Sequence, residues 1–303
     1  MTPGVLILTG PTASGKSALA MALAERFGAE IVGADSRQIY RGMPVGTAAP
    51  SDADRARVPH HLVGFLDPRE RYSAARFVAD ALAAIDAIHA HGRRALVVGG
   101  TGFYVRALAG DVVLSRAYDA SLRERLAREA RVHPPEVLAA WLRVLAPARA
   151  AAIDPNDPYR ITRALEIALA EGAADRPPAS AAENLRTRGV PFRKVYLEIA
   201  GDELERRIAA RVDAMLAAGL SEEAERVGSE AVAADAVGYR EALAFRSGWS
   251  TAAELRTQLV RNTRRYAKRQ GTWFRTEPGL VRVGAGEAFE RAAAEAGALP
   301  GWA

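Results

Sequence analysis

Residues 10–17, GPTASGKS, fit the spacing G-x-x-x-x-G-K-[ST]. In that pattern Gly10 through Ser17 (Gly10, Pro11, Thr12, Ala13, Ser14, Gly15, Lys16 and Ser17) form a turn whose backbone N–H groups cradle an anion at a helix N-terminus. Lys16 adds a point charge on the terminal phosphate, and the Ser17 hydroxyl can ligate Mg²⁺. Such a loop recognises a polyphosphate; a diphosphate ester fits as well as ATP. Two further segments carry chemistry. DSRQIY gathers Asp35, Ser36, Arg37 and Gln38, donors and acceptors suited to a base edge, although a capped turn reads the same way. Asp35 in this setting is a metal ligand, a helix cap or a general base. GGTG, residues 99–102, presents the Thr101 hydroxyl beside glycines, where nucleotide hydrolases place an Asp for Mg²⁺.

A fourth segment, RNTRRYAKRQGTWFR, residues 261–275, holds six basic residues and no acid, with Tyr266, Trp273 and Phe274 interleaved. A helix bearing Arg261, Arg264, Arg265, Lys268 and Arg269 suits a phosphate backbone, with aromatics to stack on bases. The alternative is a solvated helix balanced by acids such as Glu222, Glu223 and Glu225. His60 and His61 are adjacent, so on a strand they face opposite sides, and no third metal ligand is evident.

The elements around these residues follow from pattern. VLILT (5–9) is an apolar run before the loop, and SALAMALAERFG after it has helical period with Gly28 as C-cap. EIVGA (30–34) reads as a second strand, Ser73–His91 as an amphipathic helix stopped by Gly92, and ALVVGG (95–100) as a third strand. Alternating strands and helices imply a doubly wound parallel sheet whose ligands collect beyond the C-terminal strand ends. Those ends carry the phosphate loop, DSRQ and GGTG. From 111 to 193 the reading is helical: Ala120–Arg131, Pro135–Leu145 and Tyr159–Glu171, then a loop at Pro177, Pro178 and Ser180. This gives an α/β core in two parts, 1–110 and 194–303, with a helical insertion at 111–193. KVYLEI (194–199) resumes the sheet, helices run to Gln270, short strands follow near TWFR and LVRV, and a surface helix begins near Glu287. Trp141, Trp249 and Trp302 read as packing residues.

The chain has 303 residues, 49% of them hydrophobic, which suffices for a large core. With no cysteine, disulfides, thiolate zinc sites and cysteine nucleophiles are excluded. No apolar run reaches the roughly 20 residues that span a bilayer. MTPGVLIL lacks a basic n-region, so the expectation is a cytoplasmic protein without a signal peptide or membrane association. The net charge of +5 favours an anionic partner without requiring one.

The blocks GPTASGKS, DSRQIY, GTAAP, PHHL, GGTGFY, DPYRITRALE, RIAARVDAMLAAGLSEEA, AVGYREAL and TRRYAKRQGTWFR occur in one order across residues 4–276. In this the chain resembles the tRNA dimethylallyltransferases. Each block is moderately specific; the ordered set is far more so. The resemblance implies transfer of a dimethylallyl group from its diphosphate to the exocyclic amine of the adenosine 3′ of the anticodon, in tRNAs reading codons that start with U. It implies a P-loop NTPase-like core with an insertion clasping the anticodon stem-loop, and a monomer. It makes Gly10–Ser17 the diphosphate site rather than an ATP site, with Mg²⁺ on Ser17. Asp35 becomes the general base and Thr101 the hydroxyl between acceptor and diphosphate. Lys16 and Arg211, in preference to Arg207, neutralise the leaving group. It places tRNA contacts at Asp35, Ser36, Arg37, Gln38, Thr101, Arg123, Tyr159, Arg160, Ile161, Thr162 and Arg163, and at the basic Arg265, Lys268 and Arg269. Ala49 departs from the family's usual lysine in GTAKP. Rival readings are a small-molecule ATP kinase, a prenyltransferase acting on free adenine nucleotide, and a non-catalytic RNA-binding protein. DSRQIY with GGTGFY, the basic helices with the long insertion, and the intact Lys16 and Asp35 argue against them in turn.

Overall fold

The computed structural model describes residues 2–112, 114, 120–171 and 183–302. Its six strands are β1 (Val5–Thr9), β2 (Ala29–Gly33), β3 (His60–His61), β4 (Arg94–Val98), β5 (Phe192–Glu198) and β6 (Leu280–Gly284). They form one sheet in the order β3-β2-β4-β1-β5-β6, every pair parallel. The helices, in chain order, are α1 (Lys16–Phe27), α2 (Pro44–Thr47), α3 (Asp52–Arg57), α4 (Ala74–Ala90), α5 (Gly102–Ala109), α6 (Ala120–Val132), α7 (Pro135–Leu145), α8 (Pro147–Ala151), α9 (Pro158–Glu171), α10 (Gly201–Ala217), α11 (Leu220–Val227), α12 (Tyr239–Arg246), α13 (Ala252–Phe274) and α14 (Ala288–Gly297).

β1 is a continuous apolar run because both its faces are covered. Leu6 and Leu8 pack with Leu19 and Leu23 of α1 and with Ala288, Ala292 and Ala296 of α14. Ile7, pointing the other way, is just as fully buried. Burying each such side chain contributes about 1.5–3 kcal/mol. Gly28, at φ 60°, returns its N–H to Ala24 and ends α1, as its position after the apolar period implies. Ser73 caps α4 through Arg76 N–H.

Four features differ from the sequence reading. The strand of ALVVGG is fourth in the chain, because PHHL supplies the two-residue β3 on the sheet edge. TWFR is no strand but the last turn of α13, where Ala267, Gln270 and Phe274 continue one buried helical stripe and Phe274 packs on Tyr196 at 5.4 Å. The helix after Glu287 is not merely superficial, since three of its alanines enter the core. Trp302 is fully buried, whereas Trp249 is 84% exposed and Trp141 is partly so.

The chain divides into two compact units, residues 1–112 with 183–303, and residues 113–182. Residues 183–193, read from sequence as part of the insertion, pack with the first unit: Leu185 is fully buried and donates to Leu108 O at 2.9 Å. The smaller unit holds α6–α9 around Leu126, Leu138, Leu142, Ile161 and Leu165. Its buried Glu166 accepts from Arg123 at 2.8 and 3.1 Å and from Arg163 at 2.5 Å. Burial opposes ionisation of Glu166, but the two guanidiniums outweigh it and hold the carboxyl below its ordinary value. The loop expected at Pro177, Pro178 and Ser180 lies outside the described residues.

In the larger unit, buried Lys194 of β5 bonds Asp111, which follows α5, and Glu277, which follows α13. Arg186 completes the set at Asp111 (2.7 Å) and Arg106 at Glu277 (2.8 Å). Removing one member of a buried ionic set leaves uncompensated charge. Lys194→Met, which keeps the volume and deletes the charge, is therefore expected to cost roughly 3–5 kcal/mol in equilibrium urea unfolding; an unchanged unfolding midpoint refutes it.

Candidate active site

Strand register brings the chemistry to one level. Leu8 of β1 and Gly33 of β2 both pair with Val98 of β4. The phosphate loop, the Asp35 segment and the GGTG loop therefore leave the sheet side by side, beyond its C-terminal edge. Backbone bonds continue past the strands: Ala34 N donates to Val98 O at 2.8 Å and Thr101 N to Ala34 O at 3.3 Å. A Cβ on Gly99 would lie 2.1 Å from Ala34 O, so only glycine lets these loops meet.

The phosphate loop is tightly wound. Gly15 caps α1 at φ 97°, and Ala13 occupies the left-handed region at φ 64°. A non-glycine residue held there carries about 1–3 kcal/mol of strain, stored where the loop must keep its amides aimed. Beside it an open cleft of about 290 Å³ is lined by Ala13, Gly15, Lys16, Ser17, Arg207 and Arg211. Both candidate arginines of RIAAR line it, and they are held differently. Arg207 donates to Ser14 O at 3.0 Å and to Glu203 at 2.7 Å. Arg211 donates to Thr47 O at 3.4 Å and has no ion pair among the described residues. Burial lowers the Arg211 pKa, opposed by Asp35. Burial, then the charge on Arg211, brings Lys16 down to about 8, with Asp35 opposing. Lys16 and Arg211, without an ion pair among the described residues and with Arg207 beside them, favour an anion in the cleft.

The neighbouring loops form the other wall. Thr101 stands at the start of α5, but its hydroxyl does not cap that helix. It accepts Ser36 N–H at 3.0 Å and lies 3.4 Å from Ser36 Oγ. Asp35 Oδ1 accepts Arg37 N–H at 2.9 Å, closing a turn through one oxygen of the carboxylate. The capped-turn and functional readings of DSRQIY are thus compatible. The Arg37 side chain pairs with Asp235 at 2.7 Å. Gln38 Nε2 donates to Thr47 O and Ala48 O, each at 3.1 Å. Burial and the charge on Asp35 raise the Tyr266 phenol above its ordinary pKa, which places Tyr266 of α13 in the field of this site.

The structure also brings in residues that motif reading passed over. Gln270 of α13 accepts Thr12 N–H at 2.8 Å and donates to Gly100 O at 3.0 Å. Glu223, named from sequence only as a possible counter-charge, is buried and accepts from Val45 N at 3.0 Å, Gly46 N at 2.8 Å and the Tyr239 hydroxyl at 2.6 Å. It holds α2, whose Thr47 carbonyl receives both Gln38 and Arg211. The nearest sequence signal is Gly46, where a Cβ would sit 2.5 Å from the Tyr239 ring. Glu222 and Glu225 pair with Arg246, so none of the three acids balances α13. Arg265, Lys268 and Arg269 are exposed, without an ion pair among the described residues. His61 bonds Glu30 at 2.7 Å and His60 the Val58 carbonyl at 2.7 Å, which gives both rings structural partners.

In the smaller unit Tyr159 and Arg160 are exposed, and the Thr162 hydroxyl donates to Pro158 O at 2.6 Å. Ile161 is only 1% exposed and packs in that unit's core, so its side chain serves packing. Arg123 and Arg163 both converge on Glu166, which gives each a structural anchor.

Comparison with known proteins agrees with this geometry. Residues 38–277 match the family model described as IPP transferase, and residues 3–60 match that of isopentenyl transferase. A tRNA dimethylallyltransferase of Halorhodospira halophila is 44% identical, with 96% of each chain covered. One from Geobacter metallireducens is 43% identical over 92% of each. Among solved structures, the tRNA isopentenylpyrophosphate transferase of Bacillus halodurans aligns with a TM-score of 0.70 at 34% identity, covering 97% of this chain and 96% of that one. A eukaryotic dimethylallyltransferase acting on tRNA aligns at TM-score 0.77 and 25% identity, covering 94% and 74%. With its phosphate loop, Asp35 and Thr101 flush on one sheet edge and the family model spanning most of its length, the chain belongs to the IPP transferase family.

Proposed function

We propose that this protein transfers a dimethylallyl group from dimethylallyl diphosphate to the exocyclic amine of the adenosine 3′ of a tRNA anticodon. The observation that carries this reading is the pairing of two walls. Lys16, Arg207 and Arg211 surround an anion-sized cleft, Thr101 stands one strand over, where β4 ends without a carboxylate, and Asp35 stands on the far side of β4, after β2. An ATP-hydrolysing site has an acid at that strand end.

The carbon–oxygen bond of the donor breaks with its electron pair leaving on the diphosphate. The amide cradle, Lys16 and Arg211 stabilise that growing charge, each well-aimed donor by about 3 kcal/mol. The allyl carbon bonds to the amine nitrogen, whose lone pair is otherwise delocalised into the purine. Asp35 takes the proton through the carboxylate oxygen left outside its turn. A positioned base accelerates such a step about 10²–10⁴-fold. Mg²⁺ would complement the leaving group's charge. The donor set fits that ion, because Mg²⁺ keeps several waters and binds phosphates with few protein ligands, here the Ser17 hydroxyl. The purine must leave its stack, which costs least in a single-stranded loop. Exposed Arg265, Lys268 and Arg269 on α13 and Tyr159 and Arg160 on α9 are the proposed tRNA contacts. No helix among the described residues is long and apolar enough to cross a membrane.

Asp35→Asn keeps an oxygen for Arg37 N–H and removes the base. Single-turnover transfer should fall at least about 100-fold while tRNA affinity holds; near-normal transfer removes Asp35 from that role. Lys16 is charged below its pKa of about 8 and neutral above it. The kcat/KM for allyl diphosphate, which reports the free enzyme, should decline as pH rises through that value. In Lys16→Arg, always protonated, that limb should vanish. Replacing Arg265, Lys268 and Arg269 together with alanine should reduce the log–log salt dependence of tRNA binding by about 2–3, with allyl-diphosphate binding intact. An unaltered salt slope places the RNA elsewhere.

A further inference from the structure

We propose that Gln270 is a positioning residue that fixes the separation between the leaving-group loop and the acceptor loop. This rests on the transfer reaction above and goes beyond it. Gln270 is buried, and its carboxamide bridges two loops that belong to different substrates. Thr12 lies three residues before Gly15 in the phosphate loop. Gly100 immediately precedes Thr101, which holds the Asp35–Ser36 segment through Ser36 N–H. The carboxamide has one possible orientation, since Thr12 N–H can only donate and Gly100 O can only accept.

Three observations make this bridge specific. A Cβ on Gly100 would lie 2.1 Å from Gln270 Nε2, so the carboxamide packs directly against bare backbone that any larger residue would force it to leave. Gln270 shares the buried stripe of its helix with Ala267 and Phe274, and nearby Trp273 lies where a Cβ on Gly102 would meet it at 2.1 Å. The bond to Gln270 also withdraws Thr12 N–H from the anion, so the cradle begins at the amides that follow it. Gln270 touches neither diphosphate nor purine in this account. It holds the spacing at which carbon meets nitrogen.

Spacing has a chemical readout that stability lacks. Once the carbon–oxygen bond breaks, the allyl carbon is captured either by the purine amine, with its proton going to Asp35, or by water, with its proton going to solvent. Both routes release diphosphate; the first gives prenylated RNA and the second the allylic alcohol. A misplacement near 1 Å can cost about 100-fold in rate. Holding the loops too far apart should therefore slow transfer and favour water.

The test uses the full-length enzyme with labelled dimethylallyl diphosphate and an unmodified anticodon stem-loop. Gln270→Met removes both bonds. Gln270→Glu keeps the acceptor for Thr12 N–H, sets a carboxylate against Gly100 O, and serves as the deciding variant if the first does not fold. Expected are a fall in single-turnover transfer of about 30-fold or more, a rise in the alcohol-to-RNA product ratio of about tenfold or more, and dissociation constants for each substrate alone within about threefold of wild type. An unchanged product ratio in the folded variants overturns the inference, as does a loss confined to substrate affinity or protein stability. If wild-type enzyme itself prenylates no RNA, the underlying reaction has failed and not the role of Gln270.

Discussion

The flush ending of β1, β2 and β4 is the constraint on which the site depends. Parallel strands in this register deliver three loops to the same height, and backbone bonds from Ala34 to Val98 and Thr101 extend the sheet's order beyond its last residues. A one-residue slip of any of these strands would turn its side chains to the other face and take its loop out of line. Gly99 records how close the approach is, because Ala34 occupies the space where its Cβ would be. The active site is therefore built mainly of backbone. Side chains then decide what it binds.

Those side chains segregate charge. Lys16, Arg207 and Arg211 crowd one cleft although burial disfavours the charge on Lys16 and on Arg211. Glu203 balances Arg207 alone, and the other nearby acids are committed elsewhere: Glu205 to Arg264, and Glu223 to the backbone of α2 and to Tyr239. Asp35 remains as the carboxylate in the field of Lys16 and Arg211. The charge the cleft lacks belongs to its ligand. This distribution also separates the site from an ATP hydrolase that shares the same loop, since there a second strand end would carry an acid for the metal.

The local parts of this arrangement were legible in the sequence, and the bridges were not. An apolar run, a glycine-rich turn and a helical period reveal β1, the loop and α1, because each depends on neighbours a few residues away. The edge strand His60–His61 is too short to show periodicity. TWFR has strand-like residues, yet tertiary packing of Phe274 on Tyr196 keeps it helical. The identity of Asp35 and Thr101 could be read; their hydrogen-bonded link through Ser36 could not. Gln270 lies 258 positions from Thr12, and no spacing rule spans that distance. The same holds for Glu223, which looks like a surface charge in SEEAER and is a buried cap 178 positions from Val45. Ile161 and Trp249 show the converse, residues whose type or motif suggests one environment and whose burial is the other.

The closing contact at Trp302 bears on assembly order. Its indole donates to Gly4 O, while Gly4 N donates to Pro300 O and Arg94 to Gly301 O, so the segment leading into β1 is clasped by residues 298 positions downstream. Such distant closure is entropically slow. β1 itself is held by β4 and β5, so the Trp302 clasp adds the contact of longest sequence separation to the segment just before the strand that carries the phosphate loop.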